Sequence, residues 1–133
     1  MDTEEYKDIF DVDKFIKRNL NDRGLSRDVA TIFIDKGEEY ISSIRRAIAG
    51  VNAAELRQHA HRLKGAAANF SLLLLCETAE QIEALAVAGE IDKAHELMPE
   101  LEQRYAHAAG ALRTLLISPP MNNYHEKPDR NCS

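Results

Sequence analysis

Apolar residues in this chain recur at helical spacing and nowhere alternate as they would in a half-buried strand. Between residues 26 and 49 they fall at Val29, Ile32, Phe33, Tyr40, Ile41, Ile44 and Ile48, the three-and-four rhythm of one helix face. No stretch combines a period of two with β-branched residues, so strands are not supported. Long segments of Ala, Leu, Glu, Arg and Lys, all good helix formers, lie between only six glycines.

The spacing predicts five helical segments. A short one covers about Val12–Leu20 and stops at Asn21-Asp22-Arg23-Gly24, a turn signal. The second opens with Ser26 as N-cap, runs to about Ala49 and ends at Gly50. The third starts after Asn52, with Glu55 completing a variant of the capping box, and runs to about Asn69. Ser71 is placed to cap a fourth, from Leu72 to about Ala88, before Gly89. The fifth runs from near Glu90 to about Ile117, and Pro99 inside it should kink or restart it. Short turns between long amphipathic segments imply an all-α fold, an antiparallel four-helix bundle with an additional short N-terminal helix. Residues 1–117 form this domain. Residues 118–133, rich in Pro, Asn and charge, are expected to be a disordered tail.

Composition narrows the function. The 133 residues suit one domain. Lys and Arg number 17 against 22 Asp and Glu, a net charge of −5 that argues against nucleic acid as a partner. No purely apolar run exceeds the length of Leu72–Cys76, far short of the roughly 20 residues of a membrane span. The acidic start Met1-Asp2-Thr3-Glu4-Glu5 argues against a signal or transit peptide, and the expected location is cytoplasmic. Two cysteines, Cys76 and Cys132, make no disulfide framework. Cys76 reads as a buried small hydrophobe and Cys132 as a tail thiol.

One segment carries chemistry: Gln58-His59-Ala60-His61-Arg62-Leu63-Lys64-Gly65-Ala66-Ala67-Ala68-Asn69. At about 100° per residue, Arg57, Lys64, Gly65 and Ala68 fall within about 60° of His61. Leu56, Leu63, Ala67 and Phe70 take the opposite, core-facing side. His61 therefore points outward, beside a cation and residues with almost no side chain. Gly65 costs roughly 1 kcal/mol against Ala inside a helix, which suggests that something large approaches the imidazole there. A neutral imidazole nitrogen is a competent nucleophile near neutral pH, and its phosphorylated product carries close to two negative charges. Lys64, one turn on, can neutralise part of that charge. The second ring nitrogen needs an acceptor to set its tautomer, and Glu80 or Glu83 on the next helix could supply it.

The other histidines invite blander readings. His59, about 160° from His61, sits near the core stripe as a boundary residue. A chelate of His59 with His61 fails because positions i and i+2 on a helix do not face each other. His95 and His107 look solvated. No metal site is expected, and no Gly-rich phosphate loop or dinucleotide fingerprint provides a nucleotide site.

Ala60-His61-Arg62-Leu63-Lys64-Gly65 followed by small residues closely resembles the signature of the histidine-containing phosphotransfer (HPt) domain, whose pattern is H-x-L-K-G. The resemblance extends from about Phe10 to Leu116. It implies a helical bundle exposing one phosphoacceptor histidine, with His61 in that role and Lys64 contacting the phosphate. It implies that Gly65 and Ala68 leave room for a receiver domain. Glu83, 22 residues after His61, falls where many members place a Glu or Gln on the imidazole. Two departures stand out: Ser71 replaces a usual glycine ten residues after the histidine, and Phe70 is bulky for that turn.

The resemblance implies a phosphorelay carrier rather than an enzyme. It would take a phosphoryl group from a receiver aspartate and pass it to another, with receivers of a hybrid sensor kinase and a downstream regulator as partners. The chain is expected to be a monomer with no cofactor of its own, Mg²⁺ belonging to the receiver. Arg57, Gln58, Arg62 and Leu72 are the expected docking residues around the site. The alternative is a helical adaptor that binds a receiver or kinase without being phosphorylated. Met1 and the polar tail favour a free-standing chain over the end of a hybrid kinase.

Overall fold

A computed structural model describes residues 11–117, which contain helices and no strand. The tail at 118–133, with Cys132, and the first ten residues lie outside the described part. The helices are α1 (Val12–Arg18), α2 (Arg23–Ala49), α3 (Ala53–Asn69), α4 (Leu73–Val87), α5 (Ile91–Glu96) and α6 (Met98–Leu112). A π-helical turn, Arg113–Ile117, closes the last helix. α3 packs most heavily on α4, then on α2, while α6 packs on α4 and α2. Among the described residues no helix is long and apolar enough to cross a membrane.

Helix starts follow local capping. Asp11, Asp22 and Asn52 each accept a backbone N–H three residues on, in α1, α2 and α3 respectively. α2 therefore starts at Asp22, earlier than the Ser26 cap that the spacing suggests. Ser26 lies inside the helix, fully buried, and donates its hydroxyl to the Asp22 carbonyl. Ser71 does not cap α4 either: the N-cap is Leu72 and no side chain bonds there. Pro99 restarts the last segment. It sits in the first turn of α6, where its missing N–H breaks no helical bond.

The ends of the first four helices share one solution. In each, the second residue past the cap residue bonds back to the carbonyl five residues before it: Asn21 to Ile16 at 2.9 Å, Asn52 to Ala47 at 2.9 Å, Leu72 to Ala67 at 3.0 Å and Glu90 to Leu85 at 2.8 Å. The preceding residue must turn left-handed, and it is Leu20 (φ 61°), Val51 (φ 52°), Ser71 (φ 56°) or Gly89 (φ 75°). Only Gly89 does so without a side-chain penalty. Gly50 takes the cap position of α2 without being the left-handed residue. Ser71 thus adopts the left-handed conformation that a glycine at this place would adopt freely.

The core is aliphatic with an aromatic seam. Phe70 stacks on Phe15 of α1 at 4.6 Å between centroids and meets Phe33 of α2 at 4.8 Å. The bulk of Phe70 is thus buried under α1 rather than turned outward. Arg18 of α1 adds a 2.9 Å bond to the Asn69 carbonyl at the end of α3. This places α1 against the α3–α4 turn, at one edge of the exposed α3 face.

Candidate functional site

α3 presents its core stripe, Leu56, Ala60, Leu63 and Ala67, fully buried against its neighbours. That burial fixes the rotation of the helix and turns His61 outward, with 62 % of its side chain exposed. α3 and α4 form a hairpin through the 70–72 turn, which brings position 83 beside position 61.

Glu83 contacts two side chains of α3, His61 and Lys64. Its Oε2 lies 2.9 Å from His61 Nδ1 and its Oε1 lies 2.8 Å from Lys64 Nζ. A carboxylate can only accept, so the proton of the neutral ring resides on Nδ1. The Lys64 contact is an ion pair rather than an aligned hydrogen bond, since Oε1 meets no hydrogen-bond geometry. Glu83 is 16 % exposed and Lys64 28 % exposed, so the pair is only partly wet. Lys64 holds the Glu83 carboxyl below its ordinary range, burial opposes this, and His61 adds to the lowering. The Lys64 ammonium is held above its ordinary range by the same carboxylate. Glu80 is exposed and reaches Lys64 only through its charge. Of the two carboxylates left open by the sequence, Glu83 is the one on the imidazole.

The surroundings of His61 are open. A β-carbon added at Gly65 would meet nothing within 4 Å. Ala68, Arg57, Gln58 and Arg62 are exposed. Leu72 corrects the sequence reading: it is 1 % exposed and presents nothing to a partner. It is the second residue past the Phe70 cap of α3; its backbone N–H bonds back to the Ala67 carbonyl, and its apolar side chain is buried there. Leu73 and Leu74, at 72 % and 50 % exposed, are the leucines that face outward. The run of four leucines gave no periodicity by which to choose among them.

His59 is half-buried, and its Nδ1 has no hydrogen-bond partner among the described residues. His95 on α5 and His107 on α6 are exposed. Cys76 is half-buried rather than buried, and desolvation, with Glu80 adding, raises its thiol. Among the described residues no group of three His, Cys, Asp or Glu is arranged to hold a metal.

The site is thus a solvent-facing histidine on a helical domain, tied to a carboxylate and flanked by a lysine. The family model described as Hpt domain matches residues 28–111, more than half of the chain. The chain belongs to the Hpt domain family, phosphotransfer modules of two-component phosphorelays that interact with receiver domains of response regulators. No curated protein and no solved structure matches it. α1 lies outside the matched residues.

Proposed function

We propose that this protein is a phosphocarrier that takes a phosphoryl group on His61 from the aspartyl phosphate of one receiver domain and gives it to the aspartate of another. The observation that carries the reading is the 2.9 Å contact of Nδ1 with Glu83. With the ring proton held on Nδ1, Nε2 keeps a lone pair for attack. That lone pair bonds to phosphorus. The bond from phosphorus to the donor carboxylate oxygen breaks, and its electrons stay on the carboxylate. No proton moves: the ring keeps Nδ1–H and becomes cationic, which the Glu83 carboxylate stabilises. The return step reverses each bond change.

In this reading α2, α3, α4 and α6 form the antiparallel four-helix bundle, and α1 is the short additional helix. Gly65 and Ala68 leave a shallow approach for the receiver, Arg57, Gln58 and Arg62 line it, and Leu73 with Leu74 takes the place expected of Leu72. The receiver brings the Mg²⁺ that its own carboxylates hold, and this chain needs no nucleotide. The carrier works as a monomer in the cytoplasm, between a hybrid sensor kinase and a downstream regulator.

The test is phosphotransfer from a panel of purified phosphorylated receivers. The wild-type protein is expected to take up an acid-labile, base-stable label. His61→Gln, changing an exposed side chain, is expected to fold normally and take up none. Receiver binding with no label on the wild-type protein would make it an adaptor instead.

A further inference from the structure

In the resting site the Glu83 carboxylate serves two groups, Oε2 facing His61 Nδ1 at 2.9 Å and Oε1 facing Lys64 Nζ at 2.8 Å. Lys64 is therefore already engaged before any phosphoryl group arrives. We propose that Lys64 is exchanged between two anions, Glu83 in the resting site and the phosphoryl group once it is bonded to His61, so that Glu83 is a positioning residue that sets how far phosphorylation proceeds. The inference rests on the phosphocarrier reading above.

Charge on the site favours the exchange. Forming the N–P bond makes the ring cationic, with its Nδ1–H still directed at Glu83. The imidazolium then supplies Glu83 with the positive partner that Lys64 had been. The new phosphoryl group carries close to two negative charges and lies one helical turn from Lys64, on the same side of α3. A dianion attracts the ammonium more strongly than a carboxylate already paired with the ring. Lys64 is 28 % exposed, so the move needs no opening of the core.

A double-mutant cycle separates exchange from simple support. Wild type, Lys64→Ala, Glu83→Gln and the double variant are equilibrated with one phosphorylated receiver, and the phosphorylated fraction is measured. Glutamine keeps an oxygen for Nδ1 but no charge for Lys64. Under exchange, part of the benefit of Lys64 is spent leaving Glu83. Lys64→Ala is therefore expected to lower the equilibrium at least about threefold more in the Glu83→Gln background than in wild type. An equal or smaller effect there would mean that Lys64 stays on Glu83, and the exchange would be overturned. In the phosphorylated wild-type protein, a heteronuclear Overhauser contact between phosphorus and the Lys64 ammonium is expected; its absence overturns the exchange without recourse to any variant. Thermal midpoints show whether each variant is folded. A folded wild-type protein that takes no phosphate from any receiver removes the phosphocarrier reading and the exchange together. Uptake on His61 with the wrong coupling removes the exchange alone.

Discussion

The ring of Tyr105 on α6 occupies the space that a β-carbon at Gly37 of α2 would fill, its Cε1 edge lying directly on that position. The ring is buried there, its hydroxyl donates to the Ile34 carbonyl, and burial pushes the phenol above its ordinary range. Gly37→Ala should gain about 1 kcal/mol of helix propensity. It should lose about 1–3 kcal/mol to overpacking against a ring that has little room to move. A lower urea midpoint is the expected net result. In a Tyr105→Leu background the same change is expected to stabilise relative to that background; if it still destabilises, the ring is not the cause.

Gly65 is the contrasting case, since a side chain there points into open space. Gly65→Ala is expected to raise stability by up to about 1 kcal/mol, read as a higher thermal midpoint. Gly65→Leu and Ala68→Trp are expected to remain folded yet lose phosphotransfer from a receiver. Both should remain far more reactive toward phosphoramidate, a donor too small to need the surface. Full receiver-dependent transfer in both variants would place the docking surface elsewhere.

Val51 is a β-branched residue held left-handed and 73 % exposed. Its conformation costs roughly 1–2 kcal/mol relative to the ordinary helical region, and its side chain repays little by burial. Val51→Gly is expected to stabilise the protein by about 1 kcal/mol in denaturant titration. Ser71→Gly should act in the same direction but less, because the Ser71 hydroxyl accepts a long 3.4 Å contact from Arg18.

The Glu83 carboxyl is held below its ordinary range, so in acid the folded state binds fewer protons there than the unfolded state does. Its contribution is present above the ordinary glutamate range and is lost as pH falls through the lowered value. For Lys64, raised in the folded state, the contribution is complete below the ordinary lysine range and is lost as pH climbs through the raised value. Glu83→Gln is expected to flatten the acid limb of stability against pH by up to about one proton. Lys64→Ala is expected to flatten the alkaline limb and weaken the acid effect too. An acid limb unchanged by Glu83→Gln would show that the pairing does not form in solution.

The parts of this protein legible in its sequence are those decided within a few residues along the chain. The cap at Asn52 needs only the backbone N–H of residue 55, three positions on, while the Asn52 N–H goes to the Ala47 carbonyl rather than to the Glu55 side chain; the exposure of His61 follows from the phase of Leu56, Leu63 and Ala67 on the same helix. Competition between nearby candidates was harder: Asp22 outbid Ser26 as the start of α2 because an extended residue with a carboxylate stood one turn earlier. What only the tertiary structure decided involves two elements at once. Glu80 and Glu83 lie within one turn on α4, and the register of α4 against α3 alone selects Glu83. Gly37 looks like a flaw in a 27-residue helix until Tyr105, 68 positions later, is seen to fill the gap. Leu72 and Leu73 are chemically identical, and one is buried while the other faces water because the turn at Ser71 folds the first back onto the end of α3. Hydrophobic periodicity specifies the face a helix buries, but the relative shift of two helices is set by how their side chains interlock, and that information is distributed over the whole core.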